Sequence, residues 1–185
     1  MFRVHFPHLY FILGTEVMDK QETYAYLKDR VTFMEVTEHP AVFNMAEVAE
    51  IELPYPEVDA KNLFVRDDKR RNYYLITVMG HKRVNLKDFR KAQGLRALSF
   101  ASDEDLMQFL GLIPGAVSPL GLLNDESRSV KWYLDSDFVK PDGLIGVHPN
   151  DNTATVWLKV DDLLAVIKAH GNPVNVVEVT HKTDD

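Results

Sequence analysis

Three short polar segments of this 185-residue chain hold residues that could act on a bound ligand. Lys61 is a lone lysine at the start of the apolar run KNLF. Gly115 and Pro119 bracket the segment GAVSP, whose small residues allow backbone N–H groups to point at a ligand. His148 lies in the polar turn GVHPNDNTA. Each segment also fits a structural role: an exposed strand end, a helix-to-strand connection and a hairpin turn.

Several familiar kinds of active site are excluded by the residues themselves. The sequence has no cysteine, so it has no disulfide, no thiolate nucleophile and no cysteine-based metal site. The motifs G-x-S-x-G, G-x-x-x-x-G-K-[ST] and G-x-G-x-x-G are absent. The seven histidines show no metal-binding spacing. We therefore expect neither a metal nor a cofactor.

Hydrophobic periodicity and capping residues predict helices and strands that alternate along the chain. The predicted helices are Gln21–Asp29, Asn44–Ile51, Asn85–Gln93, Ser102–Leu110 and Asp161–His170. The predicted strands are Val31–Val36, Asn62–Val65, Tyr73–Met79, Ala97–Phe100, Val130–Leu134, Leu144–Val147, Ala154–Val160 and Val174–Val179. The second and third strands flank the polar turn DDKRRN and form a hairpin. Because strands outnumber helices and are partly joined by hairpins, we predict an α+β fold, a barrel-like mixed sheet with flanking helices.

The chain length suits one domain with a full core. We predict a single domain over residues 18–185, preceded by an N-terminal extension, residues 1–17, to which we assign no function. No run of about 18 apolar residues is present, so we expect no membrane span and a cytoplasmic protein.

The formal net charge of −7 argues at first against a nucleic-acid partner. The charges are unevenly distributed, however. Residues 1–60 carry 4 Lys and Arg against 11 Asp and Glu, and residues 97–185 carry 6 against 14. Residues 61–96 carry 11 against 3, a local charge of +8. This basic segment, which starts at Lys61, is a candidate for binding a polyanion.

Taken together, the segments KNLF, SFAS, PGAVSPLGLLND and HPNDNTATV resemble, in this order, the YbaK/ProX-type aminoacyl-tRNA editing family. The earlier EHPAVF and the closing VNVVEV also match, so the resemblance extends from about Glu22 to Val179. Asn62, directly after the lysine, favours the prolyl-tRNA-editing group over the group that edits Cys-tRNA. The resemblance implies the YbaK/ProX-type fold and a deacylase that hydrolyses mischarged proline tRNA, above all Ala-tRNA(Pro).

The resemblance also implies roles for individual residues. Catalysis is expected from Lys61 at the substrate carbonyl, from Gly115 in the oxyanion-binding loop, and from His148, which would orient water or the ribose. The residues expected to bind substrate are Asn62, Ser118, Pro119, His39 and Phe43. No residue stands out as a general base, which agrees with water attack assisted by the substrate's own ribose hydroxyl.

The expected partner is the acceptor end of tRNA(Pro) carrying a wrong amino acid, with prolyl-tRNA synthetase as a possible second partner. Nine residues of the basic segment are expected to contact the tRNA: Arg66, Lys69, Arg70, Arg71, Lys82, Arg83, Lys87, Arg90 and Lys91. Strand alternation places Arg66 on the face opposite Lys61, which makes it the weakest of the nine. Two alternatives stay open: a tRNA- or synthetase-binding module of the same fold without catalysis, and a deacylase for Cys- or Ser-charged tRNA.

Overall fold

The computed structural model describes residues 11–12 and 15–182. Its helices are α1 (Lys20–Lys28), α2 (Met45–Val48), α3 (Leu86–Ala92), α4 (Asp103–Leu110) and α5 (Val160–His170). Its strands are β1 (Phe11–Ile12), β2 (Thr15–Glu16), β3 (Met34–Glu38), β4 (Ala60–Asp67), β5 (Tyr73–Met79), β6 (Leu98–Phe100), β7 (Lys131–Asp135), β8 (Leu144–Val147), β9 (Ala154–Lys159) and β10 (Val174–Val177). Short 3-10 helices cover Pro56–Val58, Pro119–Asn124 and Ser136–Phe138.

The main sheet has five strands in the order β10-β7-β5-β4-β6. The predicted hairpin of β4 and β5 forms its antiparallel centre, whereas β7 runs parallel to both β5 and β10. The buried Asp67 fixes the hairpin turn, because its Oδ1 accepts the backbone N–H groups of Lys69 and Arg71 and its Oδ2 accepts the amide of Asn72. Although burial alone would raise the pKa of Asp67, these hydrogen bonds lower it.

A second, antiparallel sheet has three strands in the order β3-β9-β8, and β1 pairs with β2 in a separate ribbon. An isolated bridge between Asp59 and Gly146 joins the start of β4 to β8 and so links the two larger sheets. β6 pairs only with the last residues of β4, Val65–Asp67. The edge of β4 next to Lys61 is therefore not covered by β6.

Hydrophobic residues of the main sheet pack on both of its faces. The larger cluster includes Trp132, Leu75 and Phe64, together with residues of α4, α5 and the three-stranded sheet. The smaller cluster includes Val65 and Phe89, which packs α3 against the other face. This division places β4 between two apolar layers and fixes the position of its first residues.

The predicted α+β class with a mixed sheet and flanking helices is confirmed. All five helices and eight strands expected from the sequence are present, most within two residues of their predicted ends. The eight strands are divided between two linked sheets, and the 3-10 helix at Pro119–Asn124 was not predicted. None of the helices among the described residues is long and apolar enough to cross a membrane. The predicted extension, residues 1–17, lies partly outside the described residues.

Candidate active site

A cavity of about 340 Å³ lies beside the uncovered edge of β4. Residues 59–62, at the start of β4, form one side of the cavity wall. Helix α2 and the residues before it form a mainly apolar side, and Gly115, Val117 and His148 form the rest of the wall. The three predicted catalytic residues, Lys61, Gly115 and His148, are more than 25 positions apart in sequence. The fold brings all three to this one cavity.

Lys61 is half-buried and its ammonium is held at a defined place. Its Nζ donates to the backbone carbonyl of Lys82, in the loop that follows β5. Burial, and secondarily the positive charge of Arg83, lower the pKa of Lys61. An ammonium with few water neighbours can hold a carbonyl oxygen or an oxyanion more strongly than a fully solvated one.

Gly115 occupies a backbone conformation that only glycine adopts easily, with φ of +89°. A Cβ at this position would lie 3.0 Å from Cδ1 of Phe43 and 3.2 Å from the carbonyl oxygen of Val42. Two hydrogen bonds to Asn152 hold the Val42–Phe43 segment in place. The side-chain Nδ2 of Asn152 donates to the Val42 carbonyl at 3.1 Å, and the backbone carbonyl of Asn152 accepts the Val42 N–H. The Gly115 loop and the Phe43 wall therefore fit closely together.

The ring of His148 is oriented by a backbone group. Its Nδ1 lies 2.8 Å from the carbonyl oxygen of Ala154, which can only accept, so Nδ1 carries the proton. Burial lowers the pKa of His148, despite the opposing effect of this hydrogen bond. In the neutral ring, Nε2 is then an acceptor that can orient a water molecule or a ribose hydroxyl.

His39 lies behind His148, with the two ring centroids 6.1 Å apart. Its Nδ1 donates to the Pro40 carbonyl, and its Nε2 accepts from the hydroxyl of Thr155. His39 does not line the cavity, whereas Phe43, 62% exposed, does. Of these two predicted pocket residues, Phe43 lines the cavity. His39 does not, but its ring lies next to that of His148, which does.

Asn62 lines the cavity, and a chain of side-chain hydrogen bonds fixes its amide. Trp132 Nε1 donates to Thr77 Oγ1 at 2.9 Å, and Thr77 Oγ1 donates to Asn62 Oδ1 at 2.6 Å. Because Oδ1 is engaged, Nδ2 is the part of the amide that remains to bind a ligand.

Ser118 and Pro119 require a correction. Both are buried, and neither lines the cavity. Ser118 is the N-cap of the Pro119–Asn124 3-10 helix, where its Oγ accepts the N–H of Leu120 at 3.2 Å, and Pro119 is the first residue of that helix. They shape the loop that carries Gly115 and Val117, and their side chains are not part of the cavity wall.

Asp59 is a cavity residue that the sequence analysis missed. It is 9% exposed, and burial raises its pKa to about 7. In a sequence, an acidic residue next to a predicted loop is normally interpreted as a solvated charge. The burial of Asp59 depends on the long-range bridge to Gly146, which the sequence pattern does not indicate.

Two members of the predicted tRNA-binding set also require correction. Lys82 is buried, and its Nζ forms ion pairs with Asp135 at 2.6 Å and Asp137 at 2.7 Å, so its ammonium is engaged inside the protein. Arg66 is half-buried on the face opposite Lys61, as alternation predicts, and lies 3.7 Å from Asp105 of α4. Neither side chain is placed to contact a phosphate at the cavity.

The remaining predicted cations lie at three places. Arg83 is exposed close to Lys61, and Lys87, Arg90 and Lys91 lie on α3. Lys69, Arg70 and Arg71 are exposed in the β4–β5 turn, about 20 Å from Lys61 along the strand at roughly 3.3 Å per residue. The basic segment therefore extends from the cavity to the far end of the hairpin.

A second cavity, of about 400 Å³, has none of Lys61, Gly115 and His148 in its lining. Its lining includes Glu16, Asp125 and Glu126, which would repel a phosphate-bearing ligand. Within residues 15–182, no group of three histidine or acidic side chains is arranged to hold a metal ion.

Comparison with known proteins identifies the family. Residues 39–166, more than half of the chain, match the family model described as the aminoacyl-tRNA editing domain. The chain belongs to the aminoacyl-tRNA editing family. This result confirms the resemblance seen in the sequence motifs and the assignment to the aminoacyl-tRNA deacylases, a class of hydrolases.

Individual known proteins are similar to this chain over most of their own length. The prolyl-tRNA editing protein ProX of Acetoanaerobium sticklandii is 38% identical over 160 residues, which cover 86% of this chain and 97% of that protein. The mouse protein named prolyl-tRNA synthetase associated domain-containing protein 1 is 36% identical over 141 residues, 75% of this chain and 83% of its own. A crystal structure described as a candidate trans-editing enzyme for prolyl-tRNA synthetase shares the fold, with a TM-score of 0.64, 22% identity, and coverage of 88% of this chain and 97% of its own.

Proposed function

We propose that this protein is a trans-editing deacylase that acts on mischarged proline tRNA in the cytoplasm, with Ala-tRNA(Pro) as its main substrate. The observation that carries the proposal is the convergence of Lys61, Gly115 and His148 on one cavity. The ProX relative is named for prolyl-tRNA editing, which supports proline tRNA as the carrier. The mouse relative is named for prolyl-tRNA synthetase, which supports that enzyme as a partner delivering the tRNA.

The reason for such an enzyme is the limited selectivity of a proline-binding pocket. A small amino acid that fits inside such a pocket is rejected by only about 1–3 kcal/mol per missing methylene. A second hydrolytic site that accepts the small side chain and excludes the larger ring corrects this error. The apolar wall formed by Val42, Met45 and Val48 is the part of the cavity that would measure the side chain.

The proposed reaction is attack of water on the ester carbonyl. The ammonium of Lys61 keeps its hydrogen bond to the Lys82 carbonyl and directs another N–H at the substrate's carbonyl oxygen. Backbone N–H groups of the Gly115 loop, at the same cavity, would donate to that oxygen as well. One such donor stabilises the developing oxyanion by about 2.7–4 kcal/mol.

Proton transfer completes the proposed reaction. A bond forms between the water oxygen and the carbonyl carbon, and the bond from that carbon to the ribose oxygen breaks. The water's proton passes through the neighbouring ribose hydroxyl to the leaving ribose oxygen. His148 Nε2 accepts a hydrogen bond from that hydroxyl or from the water and so fixes their orientation.

A deacylation panel tests this function. Purified protein is incubated with Ala-tRNA(Pro), Pro-tRNA(Pro), Cys-tRNA and Ser-tRNA, and the remaining ester is measured over time. We expect rapid loss of the ester from Ala-tRNA(Pro) and stability of Pro-tRNA(Pro). Preferential loss of Cys- or Ser-charged tRNA would change the substrate assignment. Survival of every ester combined with tight tRNA binding would indicate a binding module instead.

A further inference from the structure

The cavity contains one buried carboxyl group that the proposed reaction does not use. Of the twelve residues that line the cavity, Asp59 is the only acid. Within the described chain, its carboxylate forms no ion pair and no side-chain hydrogen bond, and burial raises its pKa to about 7. A buried acid without a partner lowers stability, so its position beside a ligand cavity indicates a functional role.

The backbone holds Asp59 firmly in place. Its carbonyl accepts the N–H of Gly80 at 3.0 Å, on the side of β5, and the bridge to Gly146 holds it on the side of β8. Its φ of −66° and ψ of 129° are extended, so the alternation of β4 continues through it. The side chains of Asp59 and Lys61 therefore lie on the same face, with Cα atoms about 6.6 Å apart at roughly 3.3 Å per residue.

The charges of an aminoacyl ester match this pair. Its α-ammonium is positive, and its ester carbonyl, which becomes negative during the reaction, is attached to the same carbon atom. Lys61 suits the carbonyl but repels the ammonium, and the other cavity residues are neutral. Only Asp59 can supply a negative charge to the ammonium.

We propose that Asp59 binds the α-ammonium of the aminoacyl group, so that the site selects esters with a free amino group and rejects N-acylated ones. The inference rests on the proposed deacylase function and specifies its substrate class. Ammonium binding favours the ionised carboxylate, so the pKa of Asp59 falls when the ligand is present.

The test uses an unreactive probe, 3′-(L-alanylamino)-3′-deoxyadenosine, and its N-acetylated counterpart. We expect the wild-type protein to bind the free-amine probe at least about tenfold more tightly, as for a hydrogen-bonded buried charge pair. Asp59→Asn should abolish this preference and leave affinity for the N-acetylated probe unchanged. Asp88→Asn, the same charge change at an exposed position on α3, should behave like wild type.

A second measurement needs no variant. Carbon-13 NMR of the wild-type Asp59 carboxyl should show its pKa falling on addition of the free-amine probe and not of the N-acetylated one. Equal binding of the two probes by wild type, or a preference that survives in Asp59→Asn, would overturn the inference. If Asp59→Asn slows deacylation of Ala-tRNA and N-acetyl-Ala-tRNA equally, Asp59 acts on the water and the inference is again wrong.

The two proposals fail in different ways. An Asp59-dependent preference for the amine, in a protein that deacylates no aminoacyl-tRNA, would support the ammonium site and reject the deacylase. Deacylation of Ala-tRNA(Pro) without any preference for the free amine would support the deacylase and reject the ammonium site.

Discussion

Lys61 gains its chemical character from its surroundings and not from its sequence neighbours alone. On an exposed strand end it would be a solvated cation with no preferred direction. Here the Lys82 carbonyl holds its ammonium, and burial together with Arg83 lowers its pKa. A positioned, partly dehydrated donor of this kind stabilises an oxyanion without reorganising when the charge develops.

Replacement of this lysine tests its role directly. We expect Lys61→Ala to reduce the deacylation rate of Ala-tRNA(Pro) by about 10²–10³-fold, the usual cost of one oxyanion donor. The fold should survive, because the lysine side chain is only half-buried and belongs to neither hydrophobic cluster. Rates would be compared in single-turnover assays, and folding by circular dichroism.

Lys168→Ala, at an exposed position on α5, is the matched control and should keep the wild-type rate. A rate for Lys61→Ala within threefold of wild type would remove Lys61 from the mechanism.

At the scale of elements, the loop after β5 is held by the side chain of Lys82. Its ammonium lies between Asp135 and Asp137 and donates to the Val179 carbonyl at 2.7 Å. Burial alone would lower the pKa of Lys82, but the two carboxylates raise it above its ordinary value. The backbone carbonyl of Lys82 also accepts a hydrogen bond from Lys61, so this buried cluster positions the Lys61 ammonium.

Lys82→Met should therefore affect both stability and activity. It leaves Asp135, whose side chain is fully buried, without its counter-charge, and we expect a loss of about 3–5 kcal/mol in the free energy of unfolding. Adding Asp135→Asn should recover part of that loss. Urea denaturation measures both, and deacylation assays under folding conditions should show a slower rate.

Lys159→Met provides the comparison for Lys82→Met. It breaks an exposed ion pair to Asp142 at 3.3 Å, which should cost less than about 1 kcal/mol. Similar losses in the two single variants would show that the Lys82 cluster does not support the fold.

The elements themselves are mostly predictable, because their signals are local. Asn85 and Ser102 cap α3 and α4 as their spacing indicates, and the polar turn between β4 and β5 marks the hairpin. The burial of Lys82 and Asp59 is not predictable in this way. Both depend on contacts with residues more than 50 positions away, Asp135 and Gly146, which only the assembled sheets bring together.

The candidate site shows the same limit. The sequence motifs identified Lys61, Gly115 and His148, and all three line the cavity. Ser118 belongs to the same motif as Gly115, but its side chain caps a 3-10 helix. A motif thus identifies the segment, whereas the direction of each side chain depends on backbone geometry that composition does not reveal.

For the whole molecule, the net charge of −7 describes solubility better than binding. The remaining cations lie at three places, Arg83 near the cavity, α3, and the β4–β5 turn, which we call the basic path. Acidic residues dominate the rest of the chain, so they would disfavour nonspecific contact with RNA. A tRNA that places its 3′ end in the cavity can reach the turn only with nucleotides further along its acceptor arm.

Charge reversal in the turn tests this path. The double variant Lys69→Glu, Arg71→Glu should raise the Kd and KM for tRNA, yet leave hydrolysis of 3′-O-alanyladenosine unchanged, because the turn is about 20 Å from Lys61 at roughly 3.3 Å per residue. The slope of log K against log salt should become shallower by about 0.7–0.9 for each lost phosphate contact. The control Lys140→Glu, Lys168→Glu makes the same charge change away from the basic path and should have little effect on tRNA binding.

Two results would contradict this prediction. If both double variants weaken tRNA binding equally, binding depends on net charge and not on the turn. If the turn variant loses as much activity on the small ester as on tRNA, the turn lies at the cavity.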